Sequence, residues 1–318
     1  MKNNFSHLRF FICLLIFLPL ILSCQNSREN EKPDSRLNVI ATMVPIYDMA
    51  RNIGGDKVKV TMLLPPGADA HNYEIKPKDI VRISKADLFL YVNMEMEHWA
   101  YKVISATKSS TRLLPVETGK GISMIPLPEG NGHEGEDHHH STKFDPHIWL
   151  NFSNAQKMAD NIAAALVKID PRHSDYYLKN AADYKNKLAA LDNKFRSGLT
   201  DCKSRTILHA GHWAFAYLAN RYNLKYYSVY NISADSEPEP QKIMDLIQKI
   251  KNTKARYIYS EDLINPRMAE TIARETGAGI LKLNNGHAVS RDDLSHGVSF
   301  ISLMDENLVN LKKGLQCR

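Results

Sequence analysis

Eight short runs of apolar, β-branched or aromatic residues punctuate this chain, and their grouping constrains the fold more than any other feature. Four lie at 37–43, 58–64, 86–92 and 111–116, and four more at 206–210, 224–230, 255–261 and 279–284. Runs of that length separated by helical patterns predict parallel α/β architecture, because parallel neighbours need a crossover that a helix supplies. Between the first two, Ile46, Met49, Ala50 and Ile53 share one helical face before Gly54-Gly55 stops the pattern. In the second set, Ile243, Leu246, Ile247 and Ile250 follow Pro240, and Met268, Ala269, Ile272 and Ala273 follow Pro266. The expected fold is two lobes of similar plan, each with a four-stranded, mainly parallel sheet flanked by helices.

The stretch between the two sets is long and helical. Ser153-Asn154-Ala155-Gln156 fits a capping box, and Met158, Ile162, Ala165, Leu166 and Ile169 follow at core spacing until Asp170-Pro171 interrupts them. Tyr177, Ala181, Tyr184, Leu188, Leu191 and Phe195 then step by four and three, which predicts one helix over 173–198. At its usual rise such a helix spans roughly 40 Å and acts as a stiff strut where a glycine-rich linker would act as a hinge. The implied organisation is an N-terminal lobe at 37–172, a linker helix at 173–198 and a C-terminal lobe at 199–318.

The first residues read as an export signal: Lys2 and Arg9 supply a basic start, and Phe10 to Ser23 an apolar core too short to span a membrane. The run Ile21-Leu22-Ser23-Cys24 resembles a bacterial lipobox. On that resemblance residues 1–23 are removed, Cys24 carries lipid, and the polar stretch 24–36 is a tether to a membrane, on the periplasmic side or the cell surface. Removal takes two of the 41 basic residues and none of the 35 acidic ones, so the formal net charge falls from +6 to +4. That excess is mild and lacks the concentrated basic stripe of a nucleic-acid binder. Cys13 leaves with the signal, which puts Cys202 and Cys317 in an oxidising compartment, as a pair or as two free thiols. Pairing is expected, since Cys202 precedes the fifth strand and the pattern Phe300, Leu303, Met304, Leu308, Leu311 runs back to the same end of the sheet before Cys317.

Thirteen histidines include His7 in the signal, and the placement of the rest is informative. His71 follows the second strand run, His147 lies beyond the fourth, His209 and His212 end the fifth, where a helix from Trp213 is expected, and His287 follows the last. Parallel sheets bind ligands beyond the carboxyl ends of their strands, so these positions can converge on one cleft. Neutral imidazole suits zinc, copper, iron or nickel, and manganese less well. A single loop histidine is more often a capping or surface residue than a ligand; the joint placement carries the argument.

The stretches Gly67-Ala68-Asp69-Ala70-His71-Asn72-Tyr73-Glu74, Asp145-Pro146-His147-Ile148-Trp149-Leu150 and His212-Trp213-Ala214-Phe215-Ala216-Tyr217 resemble, in order, three motifs of the solute-binding proteins of zinc and manganese ABC importers. Ile75 stands where that family commonly has proline, a departure expected to affect the loop and not the ligand. The resemblance implies two lobes on one long helix, with His71 and His147 from the first lobe and His212 from the second holding Zn2+, or Mn2+ as the alternative. The fourth position in relatives varies; Asn284 and Asn285 are weak ligands, so His287 is the candidate. His209, inside an apolar strand, is expected to be structural.

His133, His138, His139 and His140 lie among glycines and acids in 131–140, which resembles the His-rich loop of zinc-selective members and is expected to bind metal weakly. Glu237, Glu239, Glu261 and Asp262 read as solvated loop charges, and Tyr217, Tyr222, Tyr226, Tyr227 and Tyr230 as core and lobe surface. The expected function is extracytoplasmic capture of Zn2+ by a monomer that delivers it to an ABC permease, without catalysis. The alternatives are a manganese or iron relative, a metal-dependent surface adhesin, and a secreted zinc hydrolase, although no His-Glu-x-x-His helix is present.

Overall fold

A computed structural model describes residues 35–128, 143–232, 238–261, 265–287 and 289–318. The signal, Cys24, nearly all of the tether and the loop at 131–140 lie outside the described residues, as do Glu237 and Asp262.

Two four-stranded sheets form, both wholly parallel. In the first, β1 (Leu37–Ala41), β2 (Val58–Met62), β3 (Leu88–Tyr91) and β4 (Leu114–Glu117) lie in the order β2-β1-β3-β4. In the second, β5 (Thr206–His209), β6 (Lys225–Ser228), β7 (Tyr257–Ser260) and β8 (Gly279–Lys282) repeat the plan as β6-β5-β7-β8. The first sheet is crossed by α1 (Val44–Gly54), α2 (Pro77–Ser84) and α3 (Ala100–Ala106). Next come α4 (Phe152–Ile169) and α5 (Ser174–Gly198); α6 (Ala216–Arg221), α7 (Pro240–Thr253), α8 (Arg267–Thr276), α9 (Arg291–Ser295) and α10 (Phe300–Leu315) belong to the second lobe. Central strands read as continuous apolar runs because both sheet faces are covered: Val39, Ile40 and Ala41 of β1 and Leu88, Phe89 and Leu90 of β3 are at most 1% exposed. Pro115, which cannot donate to a ladder, sits on the edge strand β4.

The order in each sheet reverses at its first strand, between β1 and β3 in one lobe and β5 and β7 in the other, which places a crevice at those carboxyl ends. A buried carboxylate closes each crevice. Glu97 accepts from Thr42 Oγ1 at 2.5 Å, Val92 N at 3.0 Å and Asn93 N at 3.2 Å in the first lobe. Glu261, directly after β7, takes the equivalent place in the second.

Helix α5, about 37 Å long, backs both lobes with one stripe, Tyr177, Ala181, Tyr184, Leu188, Leu191 and Phe195. It packs on α1 and α4 of the first lobe and on α10 of the second, and one apolar core runs through all of them. Polar bonds fix its position. Tyr184 Oη donates to Asp48 Oδ2 on α1 at 2.9 Å, the same oxygen that accepts from Phe300 N at the start of α10. Near its other end Asp192 accepts from Arg221 Nε and Nη2, each at 2.6 Å, and from Tyr222 Oη at 2.7 Å.

Two helix starts differ from expectation. Helix α4 is capped by Asn151, whose side chain accepts from Ser153 N at 3.0 Å, so Ser153 lies inside the first turn. The helix expected from Trp213 begins at Ala216; before it, Trp213 N donates to Asn231 O at 2.9 Å and Ala214 N to Tyr226 Oη at 3.2 Å, which tie this segment to its neighbours. Cys202 and Cys317 are joined as a disulfide that ties the chain before β5 to the end of α10.

Candidate metal centre

His71, His147, His212 and His287 meet between the lobes, each offering one ring nitrogen, and these nitrogens all lie within 4.8 Å of one another. His147 Nε2 is 3.3 Å from His71 Nε2 and 3.3 Å from His212 Nε2. A tetrahedral shell with Zn–N bonds of 2.0–2.1 Å has edges of about 3.3–3.4 Å, so both separations match such an edge. The set is sheltered: His147 is 0%, His212 2% and His287 6% exposed.

Three of the four imidazoles are set by one local device. Asp69, Asp145 and Asn285 each stand two residues before a histidine, and each side-chain oxygen accepts that histidine's backbone N–H at 2.9 Å. These are Asx turns, which fix the local loop just ahead of each imidazole. His212, with Ala210 in that place, draws the same bond from a distance: its N–H donates to Glu261 Oε1 at 3.0 Å.

Carboxylates also set the tautomers. His147 Nδ1 lies 2.9 Å from Asp145 Oδ1, and His212 Nδ1 lies 2.8 Å from Glu261 Oε1. With a proton on each Nδ1, the Nε2 lone pairs face the shared centre. Asn285 Nδ2 donates to Glu261 Oε2 at 2.5 Å, and Trp149 Nε1 to Asn285 O at 2.7 Å, which ties the loop of His287 to Glu261 and to the segment after His147.

Burial, added to by neighbouring imidazoles, pushes His147 well below its ordinary value. Burial also takes His71 down to about 3 and His287 to about 4, against an upward pull from Asp69 on both. All three are neutral at physiological pH and keep a lone pair free. His212 goes the other way: burial depresses it, but the charge and hydrogen bond of Glu261 outweigh that and hold it above its usual range. At 3.3 Å the facing Nε2 atoms are close enough to share a proton, and a cation at their centre can take that proton's place. The arrangement can therefore hold one divalent transition metal with nitrogen donors.

His209 is fully buried and outside this set; its Nδ1 lies 3.0 Å from Tyr226 Oη, in keeping with a structural role. Of the tyrosines expected in the core and on the lobe surface, Tyr217, Tyr222 and Tyr230 are buried and Tyr226 and Tyr227 half-buried, and Glu239 is exposed. The reading of Glu261 as a solvated loop charge is wrong. It is 8% exposed and orients His212, because β7 delivers it to the crevice beside β5, a contact that sequence distance hides.

Lobes of this topology on one backing helix, with an imidazole cluster between them, define a two-lobed metal-binding protein. The family model ZnuA, described as zinc-uptake complex component A, periplasmic, matches residues 39–314, and the chain belongs to that family. The high-affinity zinc uptake system protein ZnuA of Bacillus subtilis is 35% identical over 315 residues, covering 96% of each chain. The zinc-binding lipoprotein AdcA of Streptococcus pneumoniae is 33% identical over 299 residues; the match covers 92% of this chain and 58% of that longer protein. The Zn(II)-bound ZnuA-like domain of pneumococcal AdcA superposes with a TM-score of 0.74 at 31% identity, over 88% of this chain and 99% of the domain.

Proposed function

We propose that this chain captures Zn2+ outside the cytoplasm, with His71, His147, His212 and His287 as its four ligands, and hands it to the permease of an ABC importer. The observation that carries the reading is the pair of 3.3 Å Nε2 edges within a buried four-imidazole cluster. An all-nitrogen set suits zinc better than manganese, which prefers oxygen donors. A fourth imidazole also fills the position that a hydrolytic water would need, which argues against a zinc hydrolase. The adhesin alternative requires surface recognition that a cluster sheltered between lobes does not supply.

In this reading the lobes are 37–172 and 199–318, the linker helix 173–198 holds them at a nearly fixed angle, and the protein acts as a monomer. Residues 1–23 direct export, Cys24 anchors the chain through lipid, and 24–36 give it reach to the permease. The loop at 131–140, with His133, His138, His139 and His140, gathers zinc weakly. One relative named a zinc-binding lipoprotein and another named a zinc uptake system protein support the anchoring and the cargo. The test is the metal content of protein purified without added metal, followed by competition between zinc and manganese. One tightly held zinc that excess manganese does not displace is expected; a preference for manganese would overturn the assignment of cargo.

A further inference from the structure

Asn284 and Asn285 are weak ligands for a metal, and the structure gives both another use. The loop that carries His287 is built by asparagines. Asn307 of α10, 1% exposed, pins the backbone of Asn284 at two points: Asn284 N donates to Asn307 Oδ1 at 2.7 Å, and Asn307 Nδ2 donates to Asn284 O at 2.6 Å. Asn284 Oδ1 in turn accepts from Gly286 N at 2.7 Å. On that base Asn285, 3% exposed, turns its side chain to two ligands at once. Its Oδ1 accepts from His287 N at 2.9 Å, which fixes the orientation of the amide, and its Nδ2 donates to Glu261 Oε2 at 2.5 Å. That bond divides the Glu261 carboxylate. Oε2 serves Asn285, and Oε1 serves His212, whose N and Nδ1 lie 3.0 and 2.8 Å from it. Gly211 packs against Oε1 and leaves no room there for a side chain. From the first lobe, Trp149 Nε1 donates to the backbone oxygen of Asn285 at 2.7 Å.

We propose that Asn285 is a positioning residue that couples His212 to His287, so that the two imidazoles of the second lobe are aimed as one unit. The idea rests on the metal-binding reading above. A carboxylate held only through Oε1 can turn about its last bond, and its hold on the His212 Nδ1 proton then loosens; the Asn285 N–H on Oε2 stops that turn. The same side chain ties the loop of His287 to Glu261. The His287 ring, stacked on that of His212 at 5.2 Å between centres and 8° from parallel, is thereby kept in place. Ordering both rings before a cation arrives lowers the conformational entropy lost on capture. Asn285 touches no metal, and its effect on affinity passes through Glu261 and the loop.

The test exchanges the roles of the two side chains. Asn285→Ser keeps an oxygen that can take the His287 N–H but falls short of Glu261; it should weaken zinc binding by roughly tenfold or more, as loss of a group that orients ligands does. Glu261→Gln sets one amide N–H against another and weakens binding as well. Adding Asn285→Asp to Glu261→Gln restores the match, because the new amide donates to the new carboxylate, which still accepts the His287 N–H. The swapped pair should bind zinc about tenfold more tightly than Glu261→Gln alone, the return of one charge-assisted bond. Cobalt(II) in the same site reads the shell: strong visible bands of a tetrahedral ion are expected in the parent and the swapped pair, and weaker ones in Asn285→Ser as water enters. A side chain that only stabilised the fold would lower the unfolding midpoint of the metal-free protein and give no such rescue. Asn285→Ser that binds zinc like the parent, or a swapped pair no tighter than Glu261→Gln alone, overturns the coupling and leaves the metal site standing. Failure of the parent to bind zinc sinks the metal reading and the coupling with it. Should the variants not fold, the assigned Asn285 side-chain amide of the 15N-labelled parent decides: slow exchange of its protons is expected, and rapid exchange overturns the bond to Glu261.

Discussion

At the scale of single residues, the centre depends on side chains that aim imidazoles as much as on the imidazoles. Removing His147, which shares two 3.3 Å edges, should weaken zinc binding at least tenfold, as should His71→Ala or His212→Ala; titration against a chelator of known affinity checks this. Glu261→Gln keeps the size of the side chain but gives up the charge that holds His212 and its Nδ1 proton in place. It should cost about 10- to 100-fold in affinity, the usual range for partners that orient ligands, without unfolding the protein. The histidines were legible in the sequence because each lies in a segment that follows a strand, His212 and His287 within five residues of one and His71 and His147 farther on. Their orienting groups were half legible. Asp-x-His, Asp-x-His and Asn-x-His recur at 69–71, 145–147 and 285–287 and encode the turns, a repetition that sequence reading passed over. Glu261 was not legible, since only the pairing of β5 with β7 brings it 49 positions back to His212.

At the scale of elements, the strut is held by buried carboxylates, and one of them makes stability depend on acid. Burial pushes Asp192 up, but hydrogen bonds from Arg221 and Tyr222, the Arg221 charge and Arg196 outweigh it and bring its pKa down to about 2 from 3.8. In the unfolded chain that carboxyl takes up its proton near 3.8. Its contribution is therefore fully present above about pH 4 and is lost as pH falls towards about 2. Asp192→Asn should be less stable than the parent at neutral pH, and the gap should narrow at about pH 3, as read by urea unfolding. The strands and α5 were readable from periodicity within a few residues of their bounds. The start of α6 was not, because Trp213 and Ala214 are tied to Asn231 and Tyr226, which sequence does not place beside them.

At the scale of the molecule, two lobes share one apolar core through α5 and α10, so wide hinge motion would break buried packing. Motion on capture is expected to be small and confined to the loops around the cleft. The Cys202–Cys317 pair closes a segment 115 residues apart that holds the whole second sheet. Opening it should destabilise the fold by up to about 5 kcal/mol on the chain-entropy view; unfolding with and without reductant measures this, and the unreduced protein should show neither thiol free. Deleting 131–140 should leave the tight equivalent of zinc in place and remove only weaker ones, since the glycines among its histidines make enclosing an ion costly in conformational entropy. Calorimetry on that deletion decides it: loss of the tightest equivalent would move the principal site into the loop.

The central claim is that one zinc sits among four imidazoles, and X-ray absorption at the zinc edge of the protein loaded with one equivalent tests it most directly. A single shell of four nitrogens at about 2.0–2.1 Å, with the outer-shell scattering of four imidazole rings, is the predicted result. A shell with two or fewer imidazoles, or a six-coordinate shell dominated by oxygen, would contradict it.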